Sequence, residues 1–163
     1  MFEYRITKYN PGNRNSQGHY LVDEWTTYSQ LGCEVGGSIL TKEEYLRVEN
    51  AYIDAAVALF AECAVQSVAI DALENTGSHQ AKSFVVREGQ HLSGEPLREA
   101  LRSLLREEFW CRLQEGERAY IHIGYDFYMY VGVPCAGLTS IEEARKTGLF
   151  VEPFESPYKQ LAL

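Results

Sequence analysis

The chain predicts an α+β fold, with a mostly antiparallel sheet and two main helices packed on it. Three observations carry this. The first is a pair of alternating runs around a turn. Residues 118–123 put Ala119, Ile121 and Ile123 on one face and Tyr120 and His122 on the other. Residues 127–133 put Phe127, Met129, Val131 and Val133 on one face and Tyr128, Tyr130 and Gly132 on the other. Alternation marks a strand with two unlike faces. Gly124-Tyr125-Asp126 between the runs supplies turn chemistry, so the segment reads as a β-hairpin. The second observation is Thr41-Lys42-Glu43-Glu44, a capping box ahead of an amphipathic stripe (Tyr45, Val48, Tyr52, Ala56, Leu59, Cys63) that predicts a helix to about Ala64. The third is Ser93-Gly94-Glu95-Pro96, a cap and first turn that open a helix expected to run to Glu115 and stop at Gly116.

The other elements follow in order. Residues 2–9 alternate and predict a strand. Residues 10–18 are dense in Asn, Gly, Pro and Ser and predict a loop. Residues 20–25 form a short strand, and Thr26 or Thr27 caps one helical turn. The connection from Asn10 to Leu40 therefore has little regular structure, a feature that is often functional at this length. Residues 66–73 alternate as a strand, Glu74 to His79 make a loop, and residues 82–87 give a second strand around Phe84-Val85-Val86. Thr139 or Ser140 caps a short helix ending before Gly148. Residues 149–154 add an edge strand limited by Pro153, and the tail from Glu155 is irregular. The first six regular elements follow the ferredoxin-like β-α-β-β-α-β order, with an added hairpin strand and a C-terminal helix. All 163 residues form one domain.

Composition bounds the function. A net charge of −8 disfavours nucleic acid and anionic membrane and favours a basic protein partner. No apolar run has the length of a signal peptide or a membrane span, which predicts a cytoplasmic chain. Cys33, Cys63, Cys111 and Cys135 show neither C-x-x-C nor zinc spacing. The thiols are therefore expected to be structural and reduced, with Cys63 and Cys111 buried in helices.

No phosphate loop, dinucleotide fingerprint, nucleophile elbow or metalloprotease motif occurs, so no cofactor and no metal are expected. Gly36-Gly37-Ser38 reads as a turn. The carboxylate pairs Glu107-Glu108 and Glu142-Glu143 point apart on a helix and read as solvated faces. His19, His79 and His91 have no metal-spaced partner. His122, beside Tyr120, is the one catalytic candidate, paired with Asp126 or another carboxylate in a pocket formed by the long N-terminal loop. A different group stands out as a binding surface: Asp23, Glu24, Trp25, Tyr125, Asp126, Tyr128 and Tyr130. Large aromatics supply contact area and carboxylates steer a basic partner, and such a surface needs no nucleophile or cofactor. The competing expectation for the tyrosine face of the hairpin is that a helix covers it.

The runs EYRITKYNP (residues 3–11), DEWT (23–26), LTKEEYLRVENAYI (40–53), REEFWCRL (106–113) and GYDFYMYVG (124–132) together resemble a group of small uncharacterised bacterial proteins. In size and acidity the chain is similar to cytoplasmic immunity proteins of toxin systems of the contact-dependent growth inhibition type. That resemblance implies a protein-binding module that neutralises a basic toxin domain by direct contact, with no catalytic residue. The alternatives from other classes are a small enzyme using His122 with a carboxylate, and a ferredoxin-like regulatory or ligand-sensing domain.

Overall fold

A computed structural model describes residues 1–74 and 84–160. The loop expected at Asn75 to His79 and the first two residues of the strand expected at 82–87 lie outside the described residues. Phe84 to Arg87 form no strand. Along the chain come β1 (Phe2–Thr7), β2 (Glu34–Val35), β3 (Ser38–Ile39), α1 (Lys42–Glu62), β4 (Val68–Glu74), β5 (His91–Leu92), α2 (Gly94–Leu105), β6 (Trp110–Glu115), β7 (Ala119–Ile123), β8 (Met129–Val133), α3 (Leu138–Lys146) and β9 (Phe150–Pro153). Among the described residues, seven strands form one sheet in the order β5-β4-β6-β7-β8-β1-β9, antiparallel at every junction. The fold is thus α+β. The ferredoxin-like order of elements holds along the chain, apart from the small β2–β3 hairpin, but not in space. Three strands separate β1 from β4, where a split β-α-β unit has one.

The expected hairpin forms, and its register sets Tyr120 opposite Gly132 and His122 opposite Tyr130. Its aliphatic face joins one core with the inner faces of β1, β4 and β6 and the apolar stripes of the helices. Thr41 caps α1 by accepting from the Glu44 N–H (3.2 Å). The Glu44 carboxylate does not reach back, as a capping box requires, because it accepts two hydrogen bonds from Arg47. Glu49 is buried on α1 and accepts from Arg106 at 3.0 Å through both oxygens, with Arg102 at 3.1 Å. These two arginines tie the end of α2 to the middle of α1. Removing either would begin to leave a buried charge uncompensated, the costly way to break such a pair.

The second helix is shorter than its apolar spacing predicts. It ends at Leu105, and Trp110–Glu115 is β6, a central strand. Glu107 adopts a positive φ of 59°, which breaks the helix. From there Cys111 and Leu113 point inward while Arg112 and Gln114 point outward, a period of two rather than 3.6. Gly116 is accordingly a hairpin turn and not a helix stop, and Cys111 lies in a strand.

Other local expectations divide. Residues 20–25 form only an isolated bridge between Arg14 and Tyr20. The single turn appears at Tyr28–Gln30, where the Gln30 side chain accepts from the Thr26 and Thr27 N–H groups. Gly36-Gly37 is the turn of the β2–β3 hairpin. The edge of β9 is short, ends at Pro153, and has its Val151 carbonyl covered by Arg145 (3.0 Å), three devices that discourage pairing with another strand. No helix of the described residues is long and apolar enough to cross a membrane.

The expectation of reduced thiols is overturned at one pair. Cys63, the residue after α1, is disulfide-bonded to Cys135 in the connection from β8 to α3. A separation of 72 residues hid the pairing; only the docking of α3 on α1 brings the two together. The same junction is held without the bond. The Glu62 carboxylate accepts from the Thr139 and Ser140 N–H groups (3.3 and 2.8 Å) and so caps α3. Leu59 packs so closely on Gly137 that a Cβ there would sit 2.4 Å away. Replacing both cysteines by serine should therefore lower stability by roughly 2–4 kcal/mol while far-UV dichroism stays unchanged. Denaturant titrations with and without reductant check this. Native alkylation should label Cys33, which is exposed, and spare Cys111, whose thiol burial pushes up to about 12.

Candidate interaction surface

The site is built on the turn between β7 and β8. Asp126 has φ 63° and ψ 30°, and Phe127 has φ 61°. Aspartate visits this left-handed region readily, but a phenylalanine there is an outlier. Two successive left-handed residues cost about 2–4 kcal/mol. Two buried tyrosines hold them. The Tyr9 hydroxyl donates to the Asp126 carbonyl (2.5 Å) and the Tyr52 hydroxyl donates to the Phe127 carbonyl (2.8 Å). At about 1 kcal/mol net for each, these bonds alone do not offset the strain. Burial of the Phe127 ring adds about 2–3 kcal/mol. That ring is wedged between Trp25, Tyr45 and Tyr52 at centroid distances of 5.0, 6.0 and 5.2 Å. The turn is thus bent so that Phe127 points inward, which leaves Tyr125 pointing out, 62% exposed.

The long N-terminal connection completes the platform. Trp25 packs on Tyr45 and Phe127, and Tyr28 on Tyr45. Lys8 ion-pairs with Glu24 and lies over the Trp25 ring at 4.3 Å. Burial lowers the Lys8 pKa, and the Glu24 partner opposes that shift. The second Glu24 oxygen accepts from the Tyr20 hydroxyl (2.7 Å). Tyr128 stacks on Tyr9 at 5.2 Å, with the guanidinium groups of Arg5 and Arg14 about 6 Å from its ring.

The seven residues singled out by sequence therefore separate. Asp23, Tyr125 and Asp126 are exposed. Glu24, Trp25 and Tyr128 are half-buried and engaged in the platform beneath them. Tyr130 lies on the outer sheet face, buried against Phe154 and Tyr158. Sequence reasoning missed Tyr9 and Tyr52, whose roles depend on contacts over a hundred and over seventy residues away. It also missed Leu21, Val22 and Ile39, which are large, apolar and exposed on the N-terminal connection. Asp23, Glu34, Glu43 and Asp126 form no ion pair among the described residues, so their charge is free to act outward.

The outer face of the sheet is covered, not by one of the α-helices but by a C-terminal segment that ends in a single 3-10 turn, Pro157–Gln160. Asp71, Arg112, His122, Tyr130, Arg5 and Glu152 run across it as register partners. Residues 154–160 lie over the centre of this row; the tail from Glu155, expected to be irregular, is so only as far as Ser156 and then turns as the 3-10 helix. Ser156 is buried and its Oγ sits 2.8 Å from His122 Nδ1. His122 stacks on Tyr120 at 4.4 Å. Its Nε2 is buried with no hydrogen-bond partner among the described residues. The geometry does not match the expected catalytic pairing. The Nδ1 partner is Ser156 and not Asp126, no residue of the N-terminal connection lines the adjoining cavity, and among the described residues no carboxylate hydrogen-bonds to either ring nitrogen. A cavity of about 430 Å³ borders Tyr120, His122 and Lys159, but the ring is 1% exposed and its unpartnered Nε2 is buried. No group of three or more His, Cys, Asp or Glu among the described residues is placed to hold a metal ion. His79 lies outside the described residues.

Comparison of the chain with family models, with curated proteins and with solved structures found no match.

His122 makes the fold sensitive to acid. Burial, reinforced by Arg112 and Lys159, pushes its pKa down to about 4 from an unperturbed 6.5. The folded state thus favours the neutral ring. Its stabilisation is complete above about pH 6.5 and is lost as pH falls toward 4, by up to about 3 kcal/mol. Replacing His122 by Gln should flatten the slope of stability against pH in that window, measured by urea midpoints. An unchanged slope would contradict the assignment.

Proposed function

We propose that the chain is a protein-binding module: an immunity protein that neutralises a bacterial toxin by direct contact. The observation that carries the binding reading is the clamped turn. It presents Tyr125 and Asp126 in a fixed, strained geometry, and strain of this kind gathers at functional sites. A turn already in its bound shape loses little entropy on association. An exposed tyrosine gives large contact area, the exposed and unpaired Asp126 next to it attracts a basic partner, and the chain's net charge of −8 steers the encounter. The toxin as partner rests on the resemblance of the sequence runs to small bacterial proteins and on the net charge of −8.

The same reading takes the cytoplasm as the place of action. Disulfides are rare there, so the Cys63–Cys135 bond does not itself support that compartment, and this reading requires the bond to be reduced in the cell. Glu62 capping and Leu59 packing keep α3 docked in that state.

The test is co-purification with the toxin domain encoded by an adjacent large gene, followed by substitution. Tyr125→Ala should weaken binding by about 2 kcal/mol or more, near thirtyfold in Kd, with no change in melting temperature. Asp23→Lys should slow association most at low salt. Glu24→Lys should instead destabilise the fold, because it sets two cations together beneath Trp25. Binding untouched by Tyr125→Ala and Asp23→Lys would place the interface elsewhere.

A further inference from the structure

The outer-face segment, residues 154–160, reaches the recognition turn through one side chain. Gly124, the residue before Tyr125, has φ −85° and ψ −179°, a conformation open to any amino acid. Its lack of a side chain matters for another reason. A Cβ at this position would lie 2.5 Å from the Tyr158 hydroxyl and 3.2 Å from two ring carbons. Tyr158 therefore fits against the backbone at the root of the turn, a close approach that only glycine permits. Tyr158 is in turn fixed from several sides. Its ring packs on Trp110, His122 and Tyr130 at 5.5, 6.3 and 5.9 Å. Its N–H donates to Ser156 Oγ (3.2 Å), and its carbonyl accepts from Arg112 (3.4 Å). Lys159 then pins the segment to Glu3 at 2.9 Å. Trp110 donates its indole N–H to the Ile123 carbonyl (2.9 Å), so the ring that Tyr158 packs on also grips the strand leading into the turn.

We propose that Tyr158 is a positioning residue for the recognition turn, and that residues 154–160 form a strap whose docking sets the geometry in which Tyr125 is presented. The proposal rests on the binding reading above, since without a partner the turn has no task. Tyr9 and Tyr52 fix the far side of the turn through the Asp126 and Phe127 carbonyls. Tyr158 and Trp110 fix the near side at Gly124 and Ile123. Displacement of the strap would free one side only, changing how Tyr125 is held while the sheet stays formed.

The test needs no partner, so its failure is distinct from failure of the binding reading. Hydrogen exchange is followed at the residue 124 amide, which donates to the Tyr128 carbonyl at 2.8 Å and reports closure of the turn. In the full chain, Gly124→Ala should raise exchange there by roughly tenfold or more, through the clash with the hydroxyl. Adding Tyr158→Phe, which removes that oxygen, should restore most of the protection. Tyr158→Ala alone should open the same amide while amides of β4 and β6 keep their rates, and it covers the case in which Gly124→Ala does not fold. Exchange at residue 124 unchanged in Tyr158→Ala would overturn the proposal, as would a Gly124→Ala defect that Tyr158→Phe leaves in place.

Discussion

The Tyr52 hydroxyl joins three parts of the molecule at one point. It projects from the buried face of α1, accepts from the Lys8 N–H at the end of β1 (2.6 Å), and donates to the Phe127 carbonyl in the β7–β8 turn (2.8 Å). Tyr52 is fully buried, so neither backbone group has water as an alternative. Leaving a buried polar group unmatched costs about 1–3 kcal/mol. The arrangement therefore locks as a unit. If the helix shifts, the end of β1 and the turn both lose a partner. Burial also pushes the Tyr52 pKa well above its ordinary value, which keeps the hydroxyl proton in place as a donor.

From that point the functional geometry follows. The strain of two left-handed residues is held by Tyr52, Tyr9 and the burial of Phe127, and its consequence is an outward Tyr125. The N-terminal connection is ordered by the same aromatic cluster, since Trp25 and Tyr28 reach Phe127 and Tyr45. The outer face is organised differently. Ion pairs at its ends, Asp71 with Arg112 and Arg5 with Glu152, flank an aromatic centre that the strap covers. A buried neutral histidine under a short segment makes that face the acid-labile side of the molecule.

The fold class was legible in the sequence because its signals are local. Alternation at 118–123 and 127–133 fixed the hairpin, and Thr41 with the stripe from Tyr45 to Cys63 fixed α1. The helix expected to reach Glu115 failed because Leu104, Leu105, Phe109 and Cys111 satisfy a helical spacing while Cys111 and Leu113 equally satisfy a strand. The positive φ at Glu107 decides between them, and glutamate gives no warning of it. The candidate surface was half legible. Asp23, Tyr125 and Asp126 emerge exposed, but nothing in the spacing of Tyr130 shows that Phe154 and Tyr158 come back to cover it. The disulfide, the Tyr9 and Tyr52 clamps and the strap share one cause of invisibility: each joins residues far apart in sequence, by more than seventy positions for the disulfide and the clamps and by 34 for His122 with Ser156 of the strap.

The account depends on the turn being held in its strained form before any partner arrives. The most direct measurement is the NMR backbone geometry of Asp126 and Phe127 in the free chain, beside a Tyr9→Phe, Tyr52→Phe double variant. The account predicts strong intraresidue amide-to-Hα NOEs at both residues in the native chain, the signature of positive φ, and their loss or averaging in the variant. Negative φ at Phe127 in the free native chain would contradict it, as would a turn that keeps its geometry without either hydroxyl.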